Sequence, residues 1–503
     1  MEPKLPDLNL TLMLPELFLF SWALVVFTFD LVTRRRSGSA VGYLALFGLL
    51  ITGVILSVTD YGKGFGMMFF SEPLAVFFKV IFLGAAFMAI GSSFGVMQTK
   101  IVNHRGEFLG LILFSTVGMM FLASAGELLT LYIGLELTTV PLFVLAAFFK
   151  DDKRSVESGI KYLIVGAFSS ALLLYGLSFV YGLAGTTDLM QIRINLAITQ
   201  LSNQGNIGLI LVLSVVLTAA GIGFKLALPP FHQWAPDVYE GSPTPIAAFL
   251  SVGSKAAGLV AFARIFLTSL FAFWDPVMAP NDWGLLTSIL AIAAMVIGNV
   301  VAIRQHNIKR LLAYSSIAQA GYIMIGMLAL NDLGLSSVGF YMFTYMFANM
   351  GAFAVVALFE DKTGSCEIKS YAGLSKSSPF LAASLAIFLL SLAGIPPLAG
   401  FLAKYYVFAA AIKLAGSSPY NQWLYWPVGV GLLTSVFALY YYAYVIKTMY
   451  FAAEDSPYKL SAPFPASLVV AIGLAGVLLF GLYPGPILEF ASSIPYSFGF
   501  MPR

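Results

Sequence analysis

GIGFKLALPPFHQWAPDVYEGSPTP, from Gly221 to Pro245, places a lysine, a proline pair and a histidine directly behind an uncharged, largely apolar run from Leu196 to Phe224. A cation and a helix breaker inside what reads as lipid-buried sequence need a physical reason. The rest of the chain supplies the setting. It is 503 residues long, 59% hydrophobic and only 10% charged, with 44 phenylalanines. Soluble domains carry about 25% charge, and even a large soluble core keeps a polar shell. The composition therefore predicts an all-α polytopic membrane protein whose apolar runs of roughly 20 residues are spans.

Fourteen spans are expected, at about 9–32, 40–58, 71–97, 106–123, 127–149, 157–184, 206–240, 244–271, 284–303, 308–330, 333–359, 378–412, 423–450 and 463–490. Loops after odd-numbered spans hold Arg34, Arg35 and Arg36, then Lys100 and Arg105, Lys150, Lys153 and Arg154, Arg304, Lys309 and Arg310, Lys362, Lys369 and Lys376, and Lys447 and Lys459. Loops after even-numbered spans hold little beyond Lys63, Arg193 and Lys413. The positive-inside rule then puts the odd loops in the cytoplasm and both termini outside. The loop after span seven, with Asp237 and Glu240 but no Lys or Arg, departs from that pattern. MEPKLPDLNL lacks a basic n-region followed by a cleavage site, so the first span reads as an uncleaved helix.

The longest polar stretches leave no room for a nucleotide-binding, motor or redox domain. One cysteine, Cys366, excludes an internal disulfide framework and a cysteine metal cluster. His104, His232 and His306 lie far apart. No phosphate loop or dinucleotide fingerprint is present, and a net charge of +3 implies no nucleic-acid partner.

Intramembrane charges are the informative residues, since one at the bilayer centre costs about 2.5–3.5 kcal/mol on insertion scales. Glu136 sits inside LLTLYIGLELTTVPLF, and Lys255 lies well inside span eight. Span seven, about 35 residues, would reach roughly 50 Å as one straight helix against a core of about 30 Å. Pro229 and Pro230 break it, which leaves Lys225 near mid-depth. Span twelve repeats this with Pro396, Pro397 and Lys404. Broken helices that line a cavity are a common device for an ion site at the midplane. The breaks lie five spans apart, so spans four to eight and nine to thirteen read as two inverted five-helix repeats. The expected organisation is a three-helix segment at 1–105, repeats at 106–271 and 284–450, and a C-terminal helix at 451–503.

Plainer roles stay open. Lys161 lies close enough to the start of span six to snorkel. Lys79 and Arg264 read as snorkelling or helix-packing residues, and His232 as a structural histidine after the break. Glu136, Lys225, Lys255 and Lys404 could be buried ion pairs that hold helices together, although one carboxylate cannot pair three amines. Their other reading is a proton relay. Burial makes an ammonium costly and a nearby carboxylate restores it, so a buried lysine beside a movable carboxylate gains and loses a proton. With no cofactor site visible, the energy must come from an ion gradient or a partner.

KLALPPFHQWAPDVYEGSPTPIAAFLSVGSKAAG from Lys225 to Gly258 closely resembles the subunit N family of respiratory complex I, the proton-translocating NADH:quinone oxidoreductase. LYIGLELTTVPLFVLAAF, ESGIKYLIVGAFSSALLLYGLSFVYG, HNIKRLLAYSSIAQAGYIMIG and LAGIPPLAGFLAKYYVF match the same family in order. The resemblance covers nearly the whole chain and is weakest before span four and after span thirteen. It belongs to the antiporter-like subunits, which include Mrp-type sodium/proton antiporters and two sister subunits of complex I. PDVYEGSPTP after the break, and lysine rather than glutamate at 404, favour subunit N over the sisters.

The resemblance implies roles residue by residue. Glu136 is the partner carboxylate, Lys161 a modulating lysine, Lys225 the central proton carrier, Lys255 the connecting lysine and Lys404 the exit-side lysine. His232 stands where the family often has a polar bridge toward the second half. The resemblance also implies no cofactor in this chain, with NADH, FMN, iron-sulfur clusters and quinone held by partner subunits. The expected partners are other membrane-arm subunits, including the sister antiporter-like subunits, in a bacterial inner (plasma) membrane. The runner-up is an Mrp-type sodium/proton antiporter subunit, and a purely structural scaffold is the third class.

Overall fold

A computed structural model describes residues 8–33, 38–202, 208–270, 282–452, 460 and 463–498. Both extreme termini, Arg34 to Arg36 and Lys459 lie outside the described residues. Among the described residues the architecture is all-helical apart from a two-stranded antiparallel hairpin, Gly62–Gly64 with Phe69–Ser71.

The main helices in chain order are α1 (Leu14–Val32), α2 (Ala40–Val58), α3 (Pro73–Ser92), α4 (Arg105–Ser124), α5 (Leu128–Ala146), α6 (Lys153–Ala184), α7 (Leu189–Ser202), α8 (Leu209–Leu226) and α9 (Trp234–Gly241). They continue as α10 (Thr244–Ser269), α11 (Asp282–Ala302), α12 (Ile308–Leu328), α13 (Asp332–Thr363), α14 (Pro379–Ala393), α15 (Ala399–Ala415), α16 (Tyr425–Phe451) and α17 (Phe464–Leu482). Among the described residues, 13 helices are long and apolar enough to cross a membrane. The shorter apolar helix α14 takes the remaining one of the fourteen expected places, because the proline pair behind it divides that span into α14 and α15.

Local chemistry sets the ends. Asp152, Asn307 and Asn331 cap α6, α12 and α13 by accepting from backbone N–H groups of the first turn. Pro73 and Pro379 begin α3 and α14, where a missing N–H costs nothing. Gly185 and Gly364 close α6 and α13 in the left-handed conformation.

The interruptions share one construction. Helix α8 stops at Leu226, Ala227 turns left-handed at φ 54°, and the Leu228 N–H reaches back to the Gly223 carbonyl at 2.8 Å. Helix α14 stops at Ala393, Gly394 turns left-handed at φ 90°, and the Ile395 N–H reaches the Leu390 carbonyl at 3.1 Å. Each is a Schellman closure that satisfies carbonyls freed at a helix end. A proline pair joined by a cis bond follows in each case.

Helices α10, α12 and α13 form the buried centre, with α10 wholly enclosed. In α12 and α13, 94% of the most apolar stretch is enclosed, whereas α1 and α16 are enclosed over only 33%. Helix α13 packs on α3, α12, α14, α15 and α17. The outer helices keep Leu, Val, Ile and Phe on their exposed faces, as at Val54, Ile164, Leu433 and Val436, the arrangement expected of a lipid-facing surface.

Candidate functional site

Three buried lysines run through the interior, with Glu136 beside the first. Lys225 is the last residue but one of α8 and is buried. Its ammonium donates to the Thr139 hydroxyl on α5, which in turn donates to the Leu135 carbonyl at 2.6 Å. Glu136 lies three residues before Thr139, so both face the same side of α5. Glu136 is within electrostatic reach of Lys225, yet no ion pair joins them, and its Oε1 is buried without a hydrogen-bond partner. This differs from the expected carboxylate–lysine pair: the α8 closure presents the amine to the hydroxyl, one turn along from the carboxylate.

Lys255 comes next. It follows a π-helical stretch, Leu250–Ser254, inside α10. Such wide turns are frequent at functional sites. The Lys255 ammonium donates to both the carbonyl and the hydroxyl of Ser316 on α12, the latter at 2.5 Å. Gly258, three residues on, is where the end of α8 meets α10: a Cβ there would lie 3.2 Å from the Lys225 Cβ and 3.0 Å from Leu226. The missing side chain lets the two lysine-bearing helices touch.

Lys404 on α15 is buried and donates to the Ala393 carbonyl at 2.9 Å and the Ser435 hydroxyl at 2.8 Å. Its ammonium also lies 4.7 Å from the centroid of the Tyr322 ring, a favourable cation–π placement. The Ala393 carbonyl is one that the break in span twelve leaves without a helical partner.

Lys161 stands apart. Its side chain is 44% exposed and pairs with Glu157 and Asp237, each at 2.7 Å. Asp237 also pairs with Arg310 at 2.7 Å, and Arg310 with Glu240 at 2.9 Å. These residues line a cavity of about 220 Å³ and tie α6, α9 and α12 together. His232 lies in the turn between α8 and α9, and its buried Nδ1 has no hydrogen-bond partner, so no bridge toward the second half forms through that atom.

Lys79 and Arg264 do not snorkel. Lys79 pairs with Glu16 at 2.5 Å, both fully enclosed, and joins α1 to α3. Arg264 pairs with Glu72 and donates to the Ala123 carbonyl. Among the described residues no group of three or more His, Cys, Asp or Glu side chains is placed to hold a metal ion.

Sequence reasoning missed the hydroxyls that hold the amines, Thr139, Ser316 and Ser435. A signal was available in span ten, whose LLAYSSIAQAGY is unusually polar for a crossing helix. Polar side chains in a span point to a protein-facing interior. Asp237 and Arg310 were visible as loop charges, but nothing local shows that they meet Lys161.

Comparison with known proteins gives the family of the chain. The family model described as NADH:quinone oxidoreductase/Mrp antiporter, TM, matches residues 125–424. The chain is similar to NADH-quinone oxidoreductase subunit N of Desulforamulus reducens, 41% identical over 98% of this chain and 99% of the relative. It is also similar to F(420)H(2) dehydrogenase subunit N of Methanosarcina mazei, 39% identical over 95% of this chain and 96% of the relative. A chain of the respiratory complex I of Thermus thermophilus with bound Aureothin superposes with a TM-score of 0.77 and 30% identity, covering 95% of this chain and 100% of that one.

Proposed function

Because the chain belongs to the NADH:quinone oxidoreductase/Mrp antiporter family and is an antiporter-like subunit of a membrane arm, we propose that it relays protons through Glu136, Lys225, Lys255 and Lys404, driven by quinone reduction in partner subunits. The observation that carries the reading is the series of three buried amines, each held by neutral oxygens rather than by a carboxylate. An amine fixed by hydroxyl and carbonyl groups keeps its place when it gains or loses a proton, whereas a tight ion pair locks it charged. One pH unit of pKa change corresponds to about 1.4 kcal/mol and one charge across 100 mV to about 2.3 kcal/mol, so switches of a few units suit a pump.

In this reading Lys161 modulates the relay through Asp237, and His232 is left out because its Nδ1 finds no partner. NADH or another donor, FMN, iron-sulfur clusters and quinone belong to partner subunits. Support comes from the names of the relatives, NADH-quinone oxidoreductase and F(420)H(2) dehydrogenase, which differ in donor while both match this chain over nearly its full length. The chain works beside sister antiporter-like subunits in a bacterial plasma membrane, with both termini on the outer side by loop charge, and its two similarly built breaks fit inverted five-helix units.

The test is Lys225→Ala in the assembled complex in sealed vesicles. Quinone reductase activity and proton pumping are recorded together after assembly is verified. Loss of both is expected; wild-type values of both would make the lysine structural. Sodium-dependent activity without a redox partner would instead favour an Mrp-type antiporter.

A further inference from the structure

Helices α2 and α17 both pack on α3 but not closely on each other. Both belong to the outer layer, enclosed over 44% and 39% of their most apolar stretch. Between them is a groove of about 770 Å³, floored by α3 and α13, within the range of about 300–1,000 Å³ that small-molecule sites occupy. Its walls are apolar: Leu49 and Leu56 of α2, Val80 and Phe87 of α3, Phe347 of α13 and Ile472 of α17. Along α3 it runs from Val76 to Met88, about 18 Å at a helical rise of about 1.5 Å per residue. A bilayer core is about 30 Å thick, so the groove reaches through about one leaflet. Two glycines shape it. A Cβ on Gly84 would lie 2.8 Å from the Met346 Sδ, so α3 and α13 close the floor there. A Cβ on Gly53 would meet nothing within 4 Å, so the side chain that α2 lacks is groove space.

The polar groups gather at one end, where α2 runs toward the hairpin: Ser57, Thr59, Asp60 and Tyr61. Ser57 donates its hydroxyl proton to the Val54 carbonyl and Thr59 its own to the Ile55 carbonyl, each at 2.8 Å. Their oxygens are left as acceptors beside the exposed Asp60 carboxylate. Among the described residues no Lys or Arg lines the groove, and the Lys63 ammonium lies over the Phe70 ring, 5.3 Å from its centroid. Such a rim suits a cation that carries N–H donors. A choline headgroup has the charge without a donor, and a glycerol headgroup has donors without the charge. The Tyr61 hydroxyl is left to donate to a phosphate.

We propose that this groove binds one phospholipid of the phosphatidylethanolamine class, with an acyl chain between α2 and α17 and its ammonium at Asp60, Ser57 and Thr59. The walls hold the chain by burying its methylene groups, and the rim selects the headgroup. The loop-charge orientation proposed above places this lipid in the outer leaflet. The site is separate from the relay, because its lining contains none of the buried lysines.

The test reconstitutes the assembled complex in vesicles of equal parts phosphatidylglycerol and phosphatidylcholine. Each sample carries a trace of one probe, a phosphatidylethanolamine, phosphatidylcholine or phosphatidylglycerol with a diazirine on its acyl chain. After illumination, labelling of the groove residues of α2, α3 and α17 is measured by mass spectrometry relative to the lipid-facing side of α16. The phosphatidylethanolamine probe is expected to label the groove about two- to fivefold more than the other two, the scale of an exposed ion pair. Asp60→Asn should erase that preference. Gly53→Leu, whose new side chain enters the groove without meeting protein atoms at its Cβ, should remove the groove labelling and leave that of α16 as it was. Equal labelling by the three probes in the wild type overturns the headgroup assignment and the proposal with it. An unlabelled groove in the wild type means that a neighbouring subunit covers it, and also overturns the proposal. So does groove labelling that Gly53→Leu leaves unchanged. Should Gly53→Leu fail to assemble, the comparison of the wild type with Asp60→Asn decides.

Discussion

Lys404 lies in the space left by the absent side chain of Gly394. A Cβ on Gly394 would stand 3.1 Å from the Lys404 Cδ and 3.4 Å from its ammonium nitrogen. The same glycine turns at φ 90°, which closes α14 and leaves the Ala393 carbonyl for the lysine. One residue thus ends the helix and seats the amine.

Gly394→Ala should therefore do two separable things. The left-handed turn costs roughly 1–2 kcal/mol with any Cβ, and the flexible lysine yields before the backbone does, leaving its carbonyl anchor. Thermal inactivation of the complex should shift down slightly, while pumping falls toward the Lys404→Ala level. A stability loss with full pumping would show that the lysine does not need this seat.

At the other end, Thr139→Val removes the hydroxyl that holds the Lys225 amine without changing its volume. A hydrogen bond to a charged group contributes about 1.5–3 kcal/mol, so the amine should abandon this position for Glu136, one turn away. Coupled quinone reduction should drop severalfold in the valine variant and persist in Thr139→Ser. Equal rates in the two would refute the hydroxyl anchor.

The enclosed Lys79–Glu16 pair makes an assembly prediction. Removing one partner of a buried pair typically costs 3–5 kcal/mol, while replacing both by apolar groups is often near neutral. Lys79→Met alone should deplete the assembled complex, and Lys79→Met with Glu16→Leu should restore much of it, measured as complex recovered from membranes. Active, fully assembled Lys79→Met would remove this pair from the list of structural ties.

Cys366 is the one cysteine, in the connection between α13 and α14, and gives an unambiguous labelling site. Burial pushes its thiol up to about 12, with Lys309 pulling it down and Glu360 adding to the rise. Only the thiolate is a good nucleophile. The sign is that of an acid made weaker, so the thiol stays protonated from pH 7 to 9. Maleimide labelling of the folded complex should be slow at pH 8 and fast once detergent denatures the chain. Rapid labelling of the native state would show the connection to be open.

The class of protein, most of the spans and the helix ends before both proline pairs follow from local chemistry, and so were readable. Apolar length decides what crosses a bilayer. A proline pair decides where a helix must stop, because it removes donors and clashes with the turn before it. Glu136, Lys225, Lys255 and Lys404 stood out because a charge in an apolar run is costly. What each one touches was beyond that reading. Lys225 meets Thr139, 86 residues away, and Lys255 meets Ser316, 61 residues away. Serine and threonine inside spans usually satisfy their own helix backbone, as Thr52 does with Gly48 at 2.8 Å, so the polar run of span ten marks a protein-facing helix but not which hydroxyl holds an amine. Lys79 read as snorkelling or helix-packing, and the choice waited on the structure for the same reason: its partner Glu16 is two helices away. The sequence by itself determined which groups must be buried and where helices end, since both are paid for within a few residues. Tertiary structure alone decided their partners, because a buried charge is satisfied by whichever neutral or charged group packing brings within hydrogen-bond reach.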